Sequence, residues 1–368
     1  MSFESLATPS LILDLARVRR NAERMAVKAV RLGVRLRPHI KTHKCIEAAR
    51  LQTAGHDGAI TVSTLEEARA FAANGFVDIT YAVPIERGKF AAAFALIQRG
   101  VRLSLLTDDF AAVGELDFAA GNAGVRPGVF VKIDCGTHRV GVEPPSEAAI
   151  MIPRLISDAK HLEFAGILTH AGHSYDVGTK EDILTVAHHE RDVMVEHAEK
   201  LRGLGIDVPT VSIGSTPTMS LVDDLAGIDE IRPGNYIFYD NFQATLGSCS
   251  FEDTALTVLA AVIHVSDGKL VVDAGGIAMS KDRGPVGLDP SCGYGRILDL
   301  DGGDTGMRLT SLSQEHGVIE NYENLSFKVG DRVRILANHS CMTAAQHTHY
   351  NVLENGEVVD RWKIHTGW

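Results

Sequence analysis

A lysine stands in a run of basic residues near the start of the chain, Arg37-Pro38-His39-Ile40-Lys41-Thr42-His43-Lys44. An arbitrary lysine usually makes an ion pair or extends its charge into water. Cationic neighbours lower the pKa of a lysine, however, and favour the free amine that attacks a carbonyl carbon. The run therefore predicts that Lys41 can form a Schiff base.

Small polar residues form a second candidate group at Gly214-Ser215-Thr216. Taken alone they are typical of an ordinary turn. After a barrel strand, the glycine would let backbone N–H groups approach an anion, and the two hydroxyls would add donors. Tyr236, one predicted strand further on, offers a phenolic donor. Together these residues predict a site for a phosphate group.

A third group, His339-Ser340-Cys341, has types and spacing that suit a metal ion. Side chains two residues apart share a face in a strand, and the strand-like residues 332–336 come just before. Imidazole and thiolate suit Zn²⁺ and leave positions open for a substrate oxygen. His347 and His349 repeat the spacing. A buried thiol beside a hydrogen-bonded histidine remains the alternative interpretation.

The elements that must position these residues alternate between strands and helices. Counting from Val34, eight strands are predicted, at 34–40, 59–62, 79–83, 101–106, 129–134, 164–170, 208–213 and 231–239. Strands that alternate with helical segments indicate β-helix-β units rather than a sandwich. Eight units make a (β/α)8 barrel, with a doubly wound open sheet as the competing architecture.

After Gly247 the pattern changes to short β-rich runs separated by turns, which predicts a second, mostly β domain. We expect a barrel over residues 14–247 and a β domain formed by residues 1–13 and 248–368. In such barrels the functional residues gather at the carboxyl ends of the strands. Lys41, Arg139, His170, His173 and the Gly214 group all follow predicted strands.

Composition excludes some kinds of partner. The 368-residue chain has a formal net charge of −11, which disfavours nucleic acid and anionic membranes. No apolar run is long enough for a membrane helix, and the start lacks the pattern of a signal peptide. Five cysteines are scattered without a C-x-x-C pair, as in a reducing compartment. We expect a cytoplasmic protein without nucleic-acid or membrane partners.

These residues resemble a known family. The segment 37–44 is similar to the R-P-H-x-K-x-H-K cofactor-lysine segment of the D-serine dehydratase / D-threonine aldolase family. Residues 8–15, Gly234-Asn235-Tyr236, Tyr239-Asp240 and the late H-x-C also match, so the resemblance spans nearly the whole chain.

The resemblance implies an alanine-racemase-like fold, in which a barrel binding pyridoxal 5′-phosphate (PLP) carries a C-terminal β domain, usually in a homodimer. It implies that Lys41 carries PLP and that a D-amino acid is the substrate. It also implies a divalent metal, Zn²⁺ first and Mn²⁺ or Mg²⁺ as alternatives. The residues assigned are, for catalysis, Lys41, His170 and His173; for PLP, Lys41, Arg139, His170, Gly214, Ser215, Thr216 and Tyr236; for the metal, His339 and Cys341.

Two branches of the family differ in chemistry. D-Threonine aldolases commonly present H-x-D at the metal position, and a base histidine a few residues after the position matching Leu168. Here Cys341 replaces the aspartate and Asp176 stands near the histidine position, so we expect elimination of water rather than retro-aldol cleavage. His170 or His173 could serve instead of the missing aldolase base, so retro-aldol cleavage stays the alternative. The same barrel would also suit a PLP-binding homeostasis protein without turnover, or an amino-acid racemase.

Overall fold

A computed structural model describes residues 3–144, 146–266, 268–320 and 326–368 of the chain. No helix in these ranges combines the length and the apolar character needed to cross a membrane. The chain forms two compact units. Unit 1 comprises Met1–Glu23, Thr42–Leu51 and Asn235–Ile364, and unit 2 comprises Arg24–Lys41, Gln52–Gly234 and His365–Trp368.

The strands and helices are as follows. The strands are β1 Ser10–Asp14, β2 Arg35–Leu36, β3 Ile60–Val62, β4 Asp78–Pro84, β5 Arg102–Thr107, β6 Gly128–Lys132, β7 Glu163–Leu168, β8 Val211–Ile213, β9 Glu230–Ile231, β10 Leu256–Ser266, β11 Lys269–Val272, β12 Gly295–Leu298, β13 Asp304–Arg308, β14 Ser311–Leu312, β15 Gly317–Glu320, β16 Arg332–Ala337, β17 His349–Glu354 and β18 Glu357–Lys363. The α-helices are α1 Leu15–Arg31, α2 Ile46–Gln52, α3 Leu65–Ala72, α4 Phe90–Gln98, α5 Phe110–Ala123, α6 Ala148–Asp158, α7 Lys180–Gly203, α8 Thr216–Leu221, α9 Asn241–Leu246, α10 Gly276–Met279 and α11 Ser340–Ala344.

Unit 2 is built on eight parallel strands in the order β2-β9-β8-β7-β6-β5-β4-β3. A parallel bridge between His39 and Thr61 joins the two ends of this sheet and closes the barrel. Strands such as β6 and β7 are mostly buried along their length, as expected for parallel strands covered on both faces. The predicted (β/α)8 barrel is confirmed, and the open-sheet alternative is wrong.

Two barrel strands are shorter than predicted. The first was expected over 34–40 and the eighth over 231–239, but β2 ends at Leu36 and β9 at Ile231. Pro38 and Pro233 follow these ends, and proline cannot donate to a strand ladder. The chain instead forms the 3-10 helices Ile40–Thr42 and Asn235–Ile237. The residues expected at strand ends therefore lie in tight turns.

Unit 1 contains a ten-stranded sheet whose main path runs β13-β12-β16-β10-β1-β17-β18. Strand β1 lies at its centre, antiparallel to β10 and parallel to β17. Fully buried side chains from these strands, including Leu11, Val258 and Val352, form the core of the unit. This confirms the predicted β-rich architecture after the barrel.

The compact units divide the chain differently from the expected domains. Residues 14–23, 42–51 and 235–247 belong to unit 1, although the sequence assigned them to the barrel. The reason is visible in packing: Leu15, Cys45 and Phe238 lie in the same hydrophobic core as the β-sheet. The bounds 14–247 therefore do not coincide with a compact unit. They remain a prediction of which residues form the PLP-binding domain.

Candidate active site

Lys41 lies exposed in the turn that follows β2. Its backbone N–H donates to Nδ1 of His39 at 3.4 Å, and Nε2 of His39 lies 3.4 Å from the hydroxyl of Ser63. Gly234 packs against this turn so closely that a Cβ there would lie 2.7 Å from the carbonyl oxygen of His39. A glycine at position 234 therefore permits the approach of the chain after β9 to the lysine segment.

Arg37 does not act as the cationic neighbour that the sequence predicted for Lys41. Its guanidinium is buried and bonds to Glu230 at 2.7 Å and to Asp78 at 2.6 Å. These two carboxylates neutralise the arginine inside the barrel. His43 belongs to unit 1, where its Nδ1 accepts the backbone N–H of Cys45 at 3.0 Å.

The structure instead provides a cation that the sequence analysis missed, Lys132 at the end of β6. Burial, aided by the charges of Arg232 and Arg139, lowers the pKa of Lys132 to about 7. Lys132 and Lys41 both act on His170: after burial, their charges are the strongest influences that hold the pKa of His170 well below its usual value. Unit 2 thus contains an amine, that of Lys132, and an imidazole, that of His170, which can both be neutral near pH 7.

His170 is held in one tautomer by the loop after β8. Its Nδ1 lies 3.1 Å from the carbonyl oxygen of Gly214, which can only accept a hydrogen bond. Nδ1 therefore carries the proton, and the lowered pKa leaves Nε2 unprotonated. His170 is suited to accept a proton or a hydrogen bond at Nε2.

The loop after β6 is organised by Asp134. One of its carboxylate oxygens accepts the backbone N–H groups of Gly136, Thr137 and His138 at 2.9, 3.0 and 3.1 Å. Thr137 then donates to the carbonyl oxygen of His170 at 2.9 Å. Arg139, an expected cofactor contact, lies exposed on this loop.

His173, the second candidate base, lies in the 3-10 helix Gly172–Tyr175. Its Nδ1 is 3.3 Å from the Thr137 hydroxyl. Burial and the nearby His189 lower its pKa, although Asp134 and Asp176 oppose the shift. The structure therefore places both candidate histidines in one hydrogen-bonded cluster with Thr137.

The Gly214 group forms a tight turn after β8. Gly214 has a φ of +119°, and a Cβ would lie 3.0 Å from Cγ of Met219, so a larger residue is excluded. The Ser215 hydroxyl caps α8 and lies 2.9 Å from the hydroxyls of Ser174 and Thr218. Glu190, fully buried on α7, accepts the backbone N–H groups of Gly214 and Ala171, both at 3.0 Å. The turn is therefore held by buried hydrogen bonds, and the backbone N–H of Gly214 is itself bonded to Glu190.

In unit 1, His339 and Cys341 follow β16 but are not on a strand, as the spacing argument required. His339 is extended, with a φ of −135°, and Cys341 lies in the short helix α11. Their side chains nevertheless form a hydrogen bond. The turn into a helix brings them together, so the predicted pair is present for a different geometric reason.

The pair lies among polar partners. Nδ1 of His339 is 2.8 Å from Oδ2 of Asp282, and Sγ of Cys341 is 3.2 Å from the Thr42 hydroxyl. Burial disfavours charge on His339, but Cys341, Asp282 and Asp240 together raise the pKa of its imidazole well above the usual value. These acidic groups around His339 would also stabilise a bound cation.

Asp240 and Asn235 complete the surroundings. Asp240 accepts the Asn235 amide at 2.7 Å and the Ser340 backbone N–H at 3.0 Å. Because a carboxylate can only accept, the Asn235 Nδ2 must face it, and Oδ1 points away. That buried Oδ1 has no hydrogen-bond partner among the described residues.

The donor set can be compared with the needs of a metal. No three His, Cys, Asp or Glu side chains within the described ranges are placed to hold an ion. A metal here would depend on His339 and Cys341, with other positions filled by water or substrate, and the unpaired Asn235 oxygen offers an acceptor nearby. Imidazole and thiolate fit zinc.

The other histidines and Tyr236 are accounted for separately. Nε2 of His347 lies 2.9 Å from the carbonyl oxygen of Ala278, and His349 contacts the Thr348 hydroxyl at 2.9 Å. Tyr236 is fully buried in the 3-10 helix Asn235–Ile237 of unit 1. Sequence reasoning missed Asp282, Glu190 and Lys132, of which only Lys132, on a barrel strand, had a sequence signal. Asn235 belongs to a segment that matches the family, but the sequence analysis gave it no role.

Comparison with known proteins agrees with this arrangement. Residues 13–241 match the family model "Alanine racemase, N-terminal domain", and residues 255–353 match "Putative serine dehydratase domain". D-threo-3-hydroxyaspartate dehydratase of Delftia sp. (strain HT23) is 40% identical over 375 residues, covering 99% of this chain and 98% of the relative. D-serine dehydratase of Dictyostelium discoideum is 36% identical over 394 residues, with 99% and 98% covered.

A solved structure is equally similar. It is D-threo-3-hydroxyaspartate dehydratase as a cysteine-to-alanine mutant in the metal-free form, with a TM-score of 0.95, 39% identity and 100% of both chains covered. The barrel, the lysine turn, the Gly214 turn and the His339–Cys341 pair therefore occur in a chain that belongs to the D-serine dehydratase / D-threonine aldolase family of PLP-dependent lyases with the alanine-racemase-like fold.

Proposed function

We propose that this protein removes water from a D-configured β-hydroxy amino acid and releases a 2-oxo acid and ammonia, as a D-serine dehydratase does. The observation that carries the proposal is the hydrogen-bonded pair of His339 and Cys341 beside Asp282. Support comes from the two relatives with dehydratase names, one of which also has a solved structure of a cysteine mutant that is described as metal-free.

In this proposal the lysine that carries PLP and the turn that receives its phosphate both belong to unit 2. Lys41 would carry the cofactor, and the Gly214 turn with Ser215 and Thr216 would receive its phosphate, because the turn follows the late barrel strand β8, where barrels commonly bind phosphate. Tyr236 and Arg139 are further proposed contacts. When bound, PLP withdraws electrons from the α-carbon, and a metal polarises the β-hydroxyl so that it leaves more readily.

The chain's own residues would then move the protons. Nζ of Lys41 would take the α-proton, and the unprotonated Nε2 of His170 or the imidazole of His173 would serve as the second acid–base group. The substrate loses the α-proton and the β-hydroxyl as water. The released enamine then takes up water and loses ammonia, so D-serine gives pyruvate.

Zn²⁺ is the proposed metal, held by His339 and Cys341, because thiolate and imidazole are borderline-soft ligands that Mg²⁺ and Mn²⁺ bind less well. We further propose a homodimer, on the family resemblance, and a cytoplasmic location, on the scattered cysteines that are typical of a reducing compartment. Sedimentation of the PLP-loaded protein would test the dimer.

Product analysis tests the proposal directly. With PLP and Zn²⁺ present, D-serine should yield pyruvate and ammonia in equal amounts, and L-serine should be inert. D-threonine tests the aldolase alternative, because retro-aldol cleavage gives glycine and acetaldehyde while elimination gives 2-oxobutanoate. If glycine and acetaldehyde form from D-threonine faster than 2-oxobutanoate does, the aldolase alternative is correct.

A further inference from the structure

Asp282 forms a direct hydrogen bond to the proposed metal ligand His339, and the sequence analysis did not single it out. Its Oδ2 lies 2.8 Å from Nδ1 of His339. An ionised carboxylate only accepts hydrogen bonds, so Nδ1 carries the proton that is shared with Asp282. The other ring nitrogen, Nε2, is then the one left for a metal.

Asp282 is itself held in place by a network within unit 1. Its Oδ1 accepts the backbone N–H of Gly284 at 2.8 Å. The Asn338 amide donates to the carbonyl oxygens of Asp282 at 3.3 Å and Gly293 at 3.0 Å. Since Asn338 directly precedes His339, the same segment that carries the imidazole also fixes the loop that carries its partner.

Gly284 makes this arrangement possible. Its φ is +62°, and a Cβ would lie 2.7 Å from Cγ and 2.8 Å from Cβ of Asn338. Any larger side chain would push Asn338 away from the loop. The loop is therefore shaped to bring the Asp282 carboxylate to the imidazole.

We propose that Asp282 is a positioning residue that fixes the tautomer and the ring orientation of His339 for the metal. The inference rests on the proposed metal site and adds to it a residue outside the H-x-C motif. A metal-ligating histidine generally donates its other N–H to a carboxylate or carbonyl, and loss of that partner weakens metal binding by about 10–100-fold.

A merely structural ion pair would behave differently. The side chains of His339 and Asp282 are 37% and 35% exposed, and a pair this exposed contributes little to folding stability. Removing the carboxylate should therefore change metal affinity while leaving the thermal unfolding midpoint of the metal-free protein almost unchanged. That difference separates positioning from structural support.

The experiment measures Zn²⁺ affinity of the PLP-loaded protein by competition with a chromophoric chelator. Asp282→Ala should bind Zn²⁺ about 10–100-fold more weakly than the unaltered protein. Asp282→Asn, which retains an acceptor oxygen, should show a smaller loss. Asp304→Ala is the matched control, because that carboxylate is likewise a partly exposed ion-pair partner in unit 1, but with Arg296 and Arg308 instead of His339.

A second readout reports the thiolate directly. With Co²⁺ in place of Zn²⁺, the absorption bands of a Cys341-bound ion should shift in Asp282→Ala and not in Asp304→Ala. Circular dichroism checks that each variant is folded, and Asp282→Asn still decides the question if Asp282→Ala does not fold.

The outcomes separate the two proposals. If the unaltered protein and His339→Ala bind Zn²⁺ equally, the metal site itself is wrong and this inference falls with it. If His339→Ala loses the metal but both Asp282 variants keep the affinity of the control, the metal site stands and the positioning role is refuted.

Discussion

Substitution of Glu190 tests which hydrogen bonds hold the Gly214 turn in place. This carboxylate is fully buried on α7, and its Oε1 accepts the backbone N–H groups of Gly214 and Ala171 at 3.0 Å each. Burial raises the pKa of Glu190, while those two bonds and the charges of Arg232 and Lys132 act in the opposite direction. The side chain thus links the loops that carry Gly214 and His170.

Glu190→Ala would leave two buried N–H donors without an acceptor. Each such donor costs about 1–3 kcal/mol, so the local structure should lose about 2–6 kcal/mol. Glu190→Gln retains an oxygen at the same position and loses only the charge, whose burial was itself unfavourable. We expect it to cost about 1 kcal/mol or less. Alanine and glutamine are both good helix formers, so α7 itself is little affected.

Hydrogen exchange measures the effect where it occurs. Peptides covering residues 211–218 and 169–175 should exchange faster in Glu190→Ala, and PLP should bind more weakly, with Glu190→Gln close to the unaltered protein. Glu199→Ala, an exposed position on the same helix, is the control. Equal exchange in Glu190→Ala and Glu199→Ala would refute the reasoning, and an equal loss in Glu190→Gln would show that the charge matters rather than the acceptor.

Two further predictions concern Lys41 and the interior of the barrel. Reduction of the PLP-loaded protein with borohydride, followed by peptide mapping, should place the pyridoxyl group on Lys41; a label on Lys44 would contradict the assignment. Arg37 and Arg35, acting against burial, lower the pKa of Asp78 to about 2 in the folded protein. In the unfolded chain this pKa is about 4, so the ionised carboxylate stabilises the folded state above pH 4. That stabilisation is lost as the pH falls from 4 towards 2. Asp78→Asn should therefore lower the stability of the protein by about 1–2 kcal/mol at pH 7, after allowance for solvent screening, and the difference should shrink below pH 4; a difference that does not change with pH would contradict this.

Much of the barrel could be predicted because its signals are local. Each strand and helix is encoded in a few adjacent residues, and the alternation of the two is enough to indicate β-helix-β units. The prediction failed at the ends of β2 and β9, where Pro38 and Pro233 interrupt the ladder. There, apolar residues continue past the strand because they are buried in turns, such as Ile40 and Tyr236.

The candidate site was predictable to a smaller degree. Lys41, the Gly214 turn and the His339–Cys341 pair belong to short recognisable segments. Asp282 is 57 residues away from His339 in the chain, and Glu190 is 24 from Gly214. No local period indicates which distant acid faces a given loop, so these partners appear only when the chain is folded.

Three buried or nearly buried acids, Asp134, Glu190 and Asp240, perform the same task in different ways. Each accepts backbone N–H groups from a loop that carries proposed site residues. Asp134 is the most exposed of the three acids. Burial raises its pKa, but its backbone hydrogen bonds outweigh burial, so its pKa is lowered. For Glu190 and Asp240 burial outweighs the hydrogen bonds, and the pKa is raised.

The number of carboxylate oxygens in use indicates where an acid is needed and where an amide could take its place. Glu190 receives both backbone N–H groups on one oxygen, so an amide could replace it. Asp240 uses both: Oδ1 accepts the Gln243 N–H at 2.9 Å, and Oδ2 accepts the Ser340 N–H and the Asn235 amide. An asparagine would turn a donor towards one of those N–H groups, because its amide has a single acceptor oxygen. At position 240 the carboxylate is therefore required by hydrogen-bond geometry, despite the unfavourable burial of its charge.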